Sequence, residues 1–525
     1  MQRLIARFNN VFQTHAKVLA LLPALLALAC LIPLPLDPSP ALASQSNRKT
    51  DAQAHSPPNI ILITTDDMDV ASLATMPKTK ALLADEGITF LESYVNFPVG
   101  SPSRASLLTG LAAHNHGVVS NSFEKDNGGF PTFVANGWED KNIGTWFQNG
   151  GYATGFIGRV MDSYGDGAAD RPATHILPGW DKWNGLPALY NPQGYFDYAV
   201  NKDGVIEFYG HRKQDYKTDV LAGKAVDFIN AQAGAGQPFF LLLAPNAPHG
   251  SEIHQGNLGP FPAPRHVGAF SDLPFPRPPS FNEKNVSDKP AWVRALPRLD
   301  SVQIEDLKTV FRRRREALLA VDDMVEAAVN ALTNNGVLDN TYIIFTSDNG
   351  YTMGEHRAGN AKKMVYEESV RVPLLVRGPG VPKGESRSQL VNNLDVVATM
   401  ADWSHVTPTT VLDGRSLRPI IADSSASWRT AFLLEGTDGK YFHNREPYAR
   451  YVAVRTSNGR TRRIYVEHES SVFGPEEELY DLINDPYELR NVASKASYGS
   501  IVSHLHRVLQ NLSSCSGATC WFDRR

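Results

Sequence analysis

The sequence has little cysteine and no marked excess of charge of either sign. Only three of its 525 residues are cysteine, which excludes a small disulfide-rich scaffold. The formal net charge is -4, so neither nucleic-acid binding nor electrostatic attachment to an anionic membrane is expected. Internal repeats and low-complexity tracts are also missing. Hydrophobic residues make up 42% of the sequence, which is enough for one large core and a smaller second one. The expected partner is a small molecule or a glycan.

The N-terminus has the features of a secretory leader. A basic segment precedes an apolar run from Val18 to Leu36, and Ala41-Leu42-Ala43 supplies a small-x-small cleavage site. The run is nearly long enough to span a bilayer, so an uncleaved anchor is the alternative. Prolines within the run and the cleavage site favour a signal peptide over residues 1–43, followed by a polar linker over 44–58. We therefore expect a secreted or periplasmic protein with no stable membrane insertion after leader cleavage.

Removal of this leader leaves two cysteines, Cys515 and Cys520, close together near the C-terminus. In an oxidising compartment such a pair is expected to form a disulfide. The loop it closes is short, so its contribution to global stability is expected to be small.

Short continuous apolar runs recur along the chain and suit strands that are buried on both faces. They are Asn59 to Thr64, Tyr152 to Ile157, Phe239 to Leu243, Tyr342 to Thr346 and Leu374 to Val376. Segments that can form helices separate them, the longest from about Ile304 to Leu332. This alternation predicts an α/β sandwich with a mainly parallel central sheet over residues 59–405.

After about Val406 the pattern changes to short antiparallel strands. They are predicted at Thr430 to Glu435, Tyr451 to Arg455 and Arg463 to Glu467, with a terminal helix after Ser497. We predict a smaller C-terminal α+β subdomain over residues 406–525.

Two tracts of unusual composition are not expected to form binding sites. The run Arg312 to Arg315 could look like an anion site, but a solvated helix face is the expected role. Residues 256–289 are rich in Pro, Phe and Asn without periodicity, which predicts a long surface loop. His114 and His116 lie two residues apart and are interpreted as structural or substrate-edge residues rather than zinc ligands.

Hard oxygen ligands follow two of the predicted strands. Asp66 and Asp67 come after the first strand, and Asp348 and Asn349 follow the strand that starts at Tyr342. In open α/β sheets ligands collect beyond the carboxyl ends of the strands. An aspartate alone is more often a helix cap or a turn residue. Three carboxylates and an amide oxygen together suit Ca²⁺, with Mg²⁺ as the alternative, and poorly suit zinc.

The stretch from Gly100 to Gly110 reads Gly-Ser-Pro-Ser-Arg-Ala-Ser-Leu-Leu-Thr-Gly. It resembles the sulfatase signature, Cys (or Ser)-x-Pro-Ser-Arg-x-x-x-Leu-Thr-Gly, whose first residue is oxidised to formylglycine. Here that residue is Gly100, at which formylglycine cannot be encoded. The resemblance extends from Asn59 to about Asn491 and implies an alkaline-phosphatase-like sandwich with a C-terminal subdomain.

The resemblance also implies roles for individual residues. Asp66, Asp67, Asp348 and Asn349 match the metal ligands, and Arg104 matches the arginine that holds formylglycine and metal-side oxygens. Arg159 stands where the family usually has Lys. His249 and Lys362 match residues that bind the sulfate and protonate the leaving alcohol.

These roles have a physical reason. A sulfate ester repels an anionic nucleophile, so a cation, an arginine and a lysine must neutralise its charge, while a histidine can exchange a proton near neutral pH.

The sequences of several motifs are most similar to those of the N-acetylglucosamine-6-sulfatase group. These are His114 to Gly117, Pro178 to Asp181, Ala247 to Gly250 and Tyr366 to Glu368. The resemblance implies hydrolysis of sulfate esters, on a sulfated carbohydrate such as N-acetylglucosamine 6-sulfate or on an aryl sulfate.

Three departures from the family put hydrolysis in question: Gly100, Arg159, and Leu111, where the family usually has Arg or Lys. Leu111 is expected to remove a cation from beside the site. Ser101 should point about 100° away around the helix axis and miss the metal. The alternatives are an inactive binder of sulfated glycans and a phosphoesterase of the same fold. The phosphoesterase would require Ser or Thr at position 100 and further metal-binding histidines.

Overall fold

Apolar strands that alternate with helices build the core of this chain. The computed structural model describes residues 56–121, 128–250, 259–436, 439–440, 447–448, 450–469 and 474–523. The predicted signal peptide 1–43 and the linker up to residue 55 lie outside the described residues. The described part belongs to one compact unit, and the boundary between 405 and 406 stays a prediction. No helix among the described residues is long and apolar enough to cross a membrane.

The central sheet has ten strands in the order β10-β2-β9-β8-β1-β7-β3-β4-β5-β6. In chain order they are β1 Asn59–Thr65, β2 Ile88–Phe90, β3 Ala153–Gly158, β4 Lys182–Gly185, β5 Tyr198–Lys202, β6 Val205–Tyr209, β7 Phe239–Ala244, β8 Thr341–Ser347, β9 Leu375–Arg377 and β10 Glu385–Arg387. The five strands β8-β1-β7-β3-β4 pair in parallel. Antiparallel partners extend this block on both sides, so the sheet is mixed but mainly parallel at its centre.

Helices cover both faces of this sheet. The α-helices of five or more residues are Gly100–Thr109, Gly129–Ala135, Ile143–Asn149, Lys217–Ala235, Ser301–Asn334, Asn393–Ser404, Arg418–Ala422 and Gly499–Leu512. Alternate side chains of β1 enter opposite layers, as the pleat requires. Ile60 and Leu62 pack in one cluster with Leu108 of the helix Gly100–Thr109. Ile61 and Ile63 pack in the other with Val325 of the long helix Ser301–Asn334.

A second, antiparallel sheet forms the C-terminal part, with strands β11 Ala431–Gly436, β12 Arg450–Ser457, β13 Arg462–Glu469 and β14 Glu476–Asp481. Phe432 and Leu434 of β11 pack on one side with Tyr366. On the other side, Leu433 packs with Leu505 of the terminal helix. Three two-stranded pairs complete the described strands: Ser93–Tyr94 with Val391–Asn392, Thr352–Met353 with Asn360–Ala361, and Gly439–Lys440 with Pro447–Tyr448.

Most elements agree with the sequence analysis. The α/β fold class, the recurrent strands and the C-terminal subdomain are confirmed, as is the Cys515–Cys520 disulfide. The strand β14 was not predicted.

The predictions of a solvated arginine run and of a surface loop over residues 256–289 are wrong in part. Arg314 and Arg315 are buried, so the arginine run is not simply a solvated helix face. In the loop before the long helix, Glu283 and Lys289 are also buried, so this loop does not run only over the surface.

Candidate functional site

The polar residues predicted at two strand ends meet at one edge of the central sheet. Strands β1 and β8 are parallel neighbours, and Thr65 lies opposite Ser347 in their register. The residues that follow therefore leave the sheet side by side. Asp66, Asp67, Asp348 and Asn349 are each no more than 2% exposed.

Hydrogen bonds hold the two segments together. The backbone amide of Asp67 donates to Oδ1 of Asp348 at 3.0 Å, and the side-chain amide of Asn349 donates to Oδ1 of Asp67 at 2.7 Å. Asp67 has a φ of 72°, a left-handed conformation that costs energy for a residue with a side chain. The contacts around it must therefore fix this conformation.

The signature forms the helix Gly100–Thr109, which is buried throughout and begins beside the acidic residues. Gly100 is its first residue and Pro102 is the third. The missing N–H of Pro102 costs nothing there, because backbone N–H groups in the first turn of a helix have no intrahelical acceptor. A Cβ on Gly100 would lie 3.4 Å from Oδ2 of Asp348 and 3.9 Å from Oδ1 of Asn121. These are ordinary contacts, so position 100 has room for a side chain directed at the acidic cluster.

Two arginines are bound to the same carboxylates. Arg104 lies 3.2 Å from Oδ2 of Asp66 through Nη2 and donates through Nε to Oδ2 of Asp348 at 2.9 Å. Arg159, which follows β3, contacts Oδ2 of Asp66 through Nε at 3.0 Å. Nη1 of Arg104 also donates to the carbonyl of Arg159 at 2.8 Å, which ties the two basic residues together.

Lys362 and His249 close the other side of the cluster. Nζ of Lys362 donates to Oδ1 of Asp67 at 2.6 Å, and Nε2 of His249 lies 3.6 Å from Oδ2 of Asp67. Nδ1 of His249 lies 2.6 Å from the carbonyl of Gly250. An N–H at Nδ1 can donate to this carbonyl, which leaves Nε2 directed toward the carboxylates.

The structure thus brings all nine predicted positions into one cluster. Those are Asp66, Asp67, Gly100, Arg104, Arg159, His249, Asp348, Asn349 and Lys362.

Several oxygens of the cluster fit a bound cation. Oδ1 of Asp66 and Oδ1 of Asn349 are buried and have no hydrogen-bond partner, a costly state unless a ligand satisfies them. Burial and the neighbouring Asp66 raise the pKa of Asp348 to about 7. Burial acts in the same direction on Asp67, but Lys362, His249 and Arg314 hold the pKa of that carboxyl well below its usual range. Crowded, desolvated oxygen ligands of this kind suit a hard divalent ion.

The sequence analysis missed Arg314, which positions the strained residue of the site. Its guanidinium donates to the carbonyl of Asp67 and to the carbonyl of Pro248 at 3.1 Å. It also lies 4.0 Å from the ring centroid of Tyr351. Arg314 therefore connects the long helix to the segments that carry Asp67 and His249. In the sequence, only the arginine run pointed to this residue. Nothing in the run distinguished the two buried arginines, Arg314 and Arg315, from the two partly buried ones before them.

Asp162 is a second residue that the sequence analysis missed. Its carboxylate accepts from Arg159 at 3.0 Å and from the Ser101 hydroxyl at 2.9 Å. Burial opposes the shift, but Arg159 and then Lys362 lower the pKa of Asp162, which keeps it charged. The Ser101 hydroxyl is thus held by Asp162, and its direction relative to the metal position stays a prediction.

Leu111 follows the signature helix, which ends at Thr109, so it lies beyond the end of the helix opposite to Gly100. Leu111 is also buried. The expected effect of its missing cation on the site stays a prediction.

The charges of the site nearly cancel without a metal ion. The four carboxylates are Asp66, Asp67, Asp162 and Asp348, and the three basic side chains bonded to them are Arg104, Arg159 and Lys362. A divalent cation would give this pocket a net positive charge. Anion binding by these residues is therefore expected to depend on the cation.

Comparisons with known proteins agree with this geometry. Residues 58–406 match the sulfatase family, and residues 354–514 match the C-terminal family of N-sulphoglucosamine sulphohydrolase. The N-acetylglucosamine-6-sulfatase of Capra hircus is 32% identical, with 88% of this chain and 84% of that protein covered.

Two solved structures share the fold. One is a protein in complex with its substrate D-glucosamine-2-N,6-O-disulfate, with a TM-score of 0.69, 24% identity and coverage of 87% of this chain and 97% of that chain. The other is the phosphonate monoester hydrolase of Agrobacterium radiobacter, with a TM-score of 0.63, 22% identity and coverage of 87% and 95%.

Fold and sequence matches together define a protein of the alkaline-phosphatase-like fold class. Within that class, the chain belongs to the sulfatase family.

Proposed function

We propose that this chain binds a sulfated sugar around a hard divalent cation, and that Gly100 leaves it without the nucleophile that the family uses. The observation that carries the proposal is the position of Gly100. It lies at the start of the signature helix, with space for a side chain 3.4 Å from Oδ2 of Asp348, and glycine supplies no oxygen to fill it. The pocket keeps its charged residues but has no side chain to attack sulfur.

Asp66, Asp67, Asp348 and Asn349 would hold the cation, with Ca²⁺ expected and Mg²⁺ possible. When bound, the cation supplies positive charge that neutralises a sulfate ester. The unpartnered oxygens of Asp66 and Asn349 support this assignment. Water is expected to complete the coordination in place of the missing side chain.

The basic residues orient the anion. Arg104 and Arg159 are held by Asp66 on one side, and Lys362 is held by Asp67 on the other. Burial opposes the shift, but Asp67, Asp66 and Asp348 raise the pKa of Lys362, so this residue stays charged. His249, with Nε2 directed at the same carboxylates, is placed to exchange a proton with a leaving alcohol when a nucleophile is present.

The proposed ligand is N-acetylglucosamine 6-sulfate or a related sulfated sugar, with an aryl sulfate as a simpler probe. The relatives support this class, since one is named N-acetylglucosamine-6-sulfatase and one solved structure holds a sulfated glucosamine. The leader and the Cys515–Cys520 disulfide support a secreted or periplasmic location.

Sulfate-ester hydrolysis is the second candidate, because every other predicted site residue is in place. A phosphoesterase is less well supported. The fold alone would allow it, as the phosphonate monoester hydrolase illustrates. However, position 100 has no hydroxyl, and His249 is the single histidine near the acidic residues within the described part of the site.

Calorimetry of the mature protein in Ca²⁺ tests the binding proposal. N-acetylglucosamine 6-sulfate should bind at least about tenfold more tightly than N-acetylglucosamine, because only the sulfate contacts the basic residues. Lys362→Met should remove this preference, while Lys383→Met, at a largely exposed lysine paired with Glu86, should keep it. Equal affinity for the two sugars would contradict the proposal. Metal-dependent release of sulfate by the parent would overturn the account of Gly100.

A further inference from the structure

A second cluster of possible metal ligands shares no residue with the first. Among the described residues, His356, Glu368 and Glu488 each offer a ligand atom, and these atoms lie within 4.8 Å of one another. They come from separate segments. His356 lies in the loop between Thr352–Met353 and Asn360–Ala361, Glu368 lies on the short helix Glu367–Val370, and Glu488 follows β14.

Each of these side chains has a buried polar atom without a hydrogen-bond partner. The atoms are Nε2 of His356, Oε2 of Glu368 and Oε1 of Glu488. His356 is 0% exposed and Glu488 is 1% exposed. Three unsatisfied buried atoms in one place are costly unless a ligand binds them.

The hydrogen bond at the other ring nitrogen sets the state of His356. Nδ1 lies 2.8 Å from Oε2 of Glu283, so an N–H at Nδ1 donates to this carboxylate and Nε2 carries the lone pair. Burial holds the pKa of His356 well below its usual range, which keeps the ring neutral. A carboxylate that accepts from one nitrogen of a histidine, while the other nitrogen is free to ligate, is the usual outer contact of a metal-bound histidine.

The loop around His356 is held in place before any ligand binds. The amide of His356 donates to the carbonyl of Ser280 at 2.8 Å, and its ring stacks on Tyr366 with centroids 4.0 Å apart. Arg357 donates to the carbonyls of Glu283 and Leu296 at 2.9 and 3.0 Å. His356 keeps a left-handed φ of 49° under these restraints.

Carboxyl groups outnumber basic groups around the cluster. Glu283, Glu368 and Glu488 face the buried ammonium of Lys289, which lies 3.9 Å from Oε2 of Glu283. The ammonium is already bonded to the hydroxyl of Tyr480 at 3.0 Å and to the carbonyl of Glu488. One lysine faces three carboxyl groups, and a divalent cation would displace their protons and balance the charge of the ionised groups.

We propose that His356, Glu368 and Glu488 bind one divalent transition-metal ion, Zn²⁺ or Mn²⁺. One imidazole nitrogen and two carboxylates suit these ions, whereas Ca²⁺ and Mg²⁺ prefer oxygen ligands alone. The site is separate from the Asp66–Asp348 cluster and does not depend on the proposed sulfate binding. It joins the segment after β14 to the loop that leads from Lys362 to Glu368, so the ion would fix the C-terminal part against the loop that carries Lys362.

Metal uptake by the whole mature chain tests the proposal. The parent is stripped with a chelator, saturated with Ca²⁺ to fill the oxygen-rich site, and dialysed against Zn²⁺ or Mn²⁺ before elemental analysis. We expect uptake of one transition-metal ion that Ca²⁺ does not displace. Glu488→Gln and Glu368→Gln, which keep side-chain size, should each weaken this uptake by about a hundredfold. Glu283→Gln should weaken it by about tenfold, because it acts through His356.

The controls separate this site from the first. Glu477→Gln changes an exposed glutamate on β14 and should keep the ion. Asp348→Asn should lose Ca²⁺ binding but keep the Zn²⁺ or Mn²⁺ ion. The absence of a tightly bound transition-metal ion in the Ca²⁺-saturated parent overturns the proposal, whatever the variants do. Unchanged uptake in folded Glu488→Gln and Glu368→Gln, verified by circular dichroism, overturns it equally.

Discussion

Gly100 and Asp348 face each other across a gap that a single side chain would fill. The Cβ position of Gly100 lies 3.4 Å from Oδ2 of Asp348, and the backbone of Gly100 continues into a helix that any residue can adopt. A side chain at position 100 should therefore require no rearrangement of the pocket.

Replacement of Gly100 by cysteine should restore hydrolysis. Gly100→Cys, expressed with a formylglycine-generating enzyme, should release sulfate from an aryl sulfate or from N-acetylglucosamine 6-sulfate. We expect a rate at least about a thousandfold above that of the parent, because loss of a nucleophile generally costs more than this. Mass spectrometry of the intact chain must verify the conversion to formylglycine.

Two variants control this experiment. Gly100→Ala should stay inactive and raise the free energy of unfolding by about 0.4–1 kcal/mol, because alanine restricts the unfolded chain. Ser101→Cys should also stay inactive, since this side chain is directed at Asp162. An inactive Gly100→Cys with verified formylglycine would mean that Leu111 or Arg159 has also disabled the pocket, which favours a binding role.

One hard divalent ion should bind at the Asp66–Asp348 cluster even without formylglycine. Calorimetry with Ca²⁺ should show one site in the parent and none in Asp348→Ala. A concentration about a hundredfold above Kd should stabilise the parent by about 2.7 kcal/mol. Asp339→Ala, at an exposed aspartate before β8, is the matched control. Identical titrations of the parent and Asp348→Ala would remove the proposed site.

Arg314 should act as a positioning residue for Asp67. Arg314→Met leaves the carbonyls of Asp67 and Pro248 without their donor, and two unpaired buried groups should lower the free energy of unfolding by about 2–5 kcal/mol. Because Asp67 is held at a φ of 72°, Ca²⁺ affinity should fall as well. Denaturant unfolding and calorimetry measure the two effects. Glu305→Gln, at an exposed position of the same helix, should change stability by less than about 0.5 kcal/mol; an equal effect would argue against the role of Arg314.

The His114–Glu435 pair should make stability depend on pH. Burial acts to lower the pKa of His114, but the hydrogen bond that its ring donates to Glu435 and the charge of Glu435 raise the pKa to about 9. A group whose folded pKa is raised contributes its full stability below the unfolded pKa and loses it as pH rises through the folded pKa. The cost of His114→Gln should therefore be about 1–2 kcal/mol at pH 6, after allowance for solvent screening, and should shrink between pH 7 and 9.

Thermal unfolding at several pH values measures this effect. His211→Gln, at an exposed histidine paired with Asp197, should show little dependence of its cost on pH. A cost of His114→Gln that grows from pH 6 to pH 9 would contradict the assignment.

The sequence by itself determined the order of the strands along the chain and the family of the protein. Buried strands such as Asn59–Thr65 and Thr341–Ser347 are continuous apolar runs, which local composition reveals. The polar residues that follow them were predictable as a site because parallel strands bring their carboxyl ends to one edge. The functional roles of these residues stay predictions.

Only the tertiary structure decided which charged residues are buried and what they contact. Arg314 and Arg312 lie two positions apart on one helix, yet the first reaches Asp67 while the second does not, because the face that meets the sheet depends on distant packing. In the same way, Glu283, His356 and Glu488 are far apart in the chain and meet in the fold. Charged residues are exposed by default in a sequence-based prediction, and only long-range contacts can place them inside.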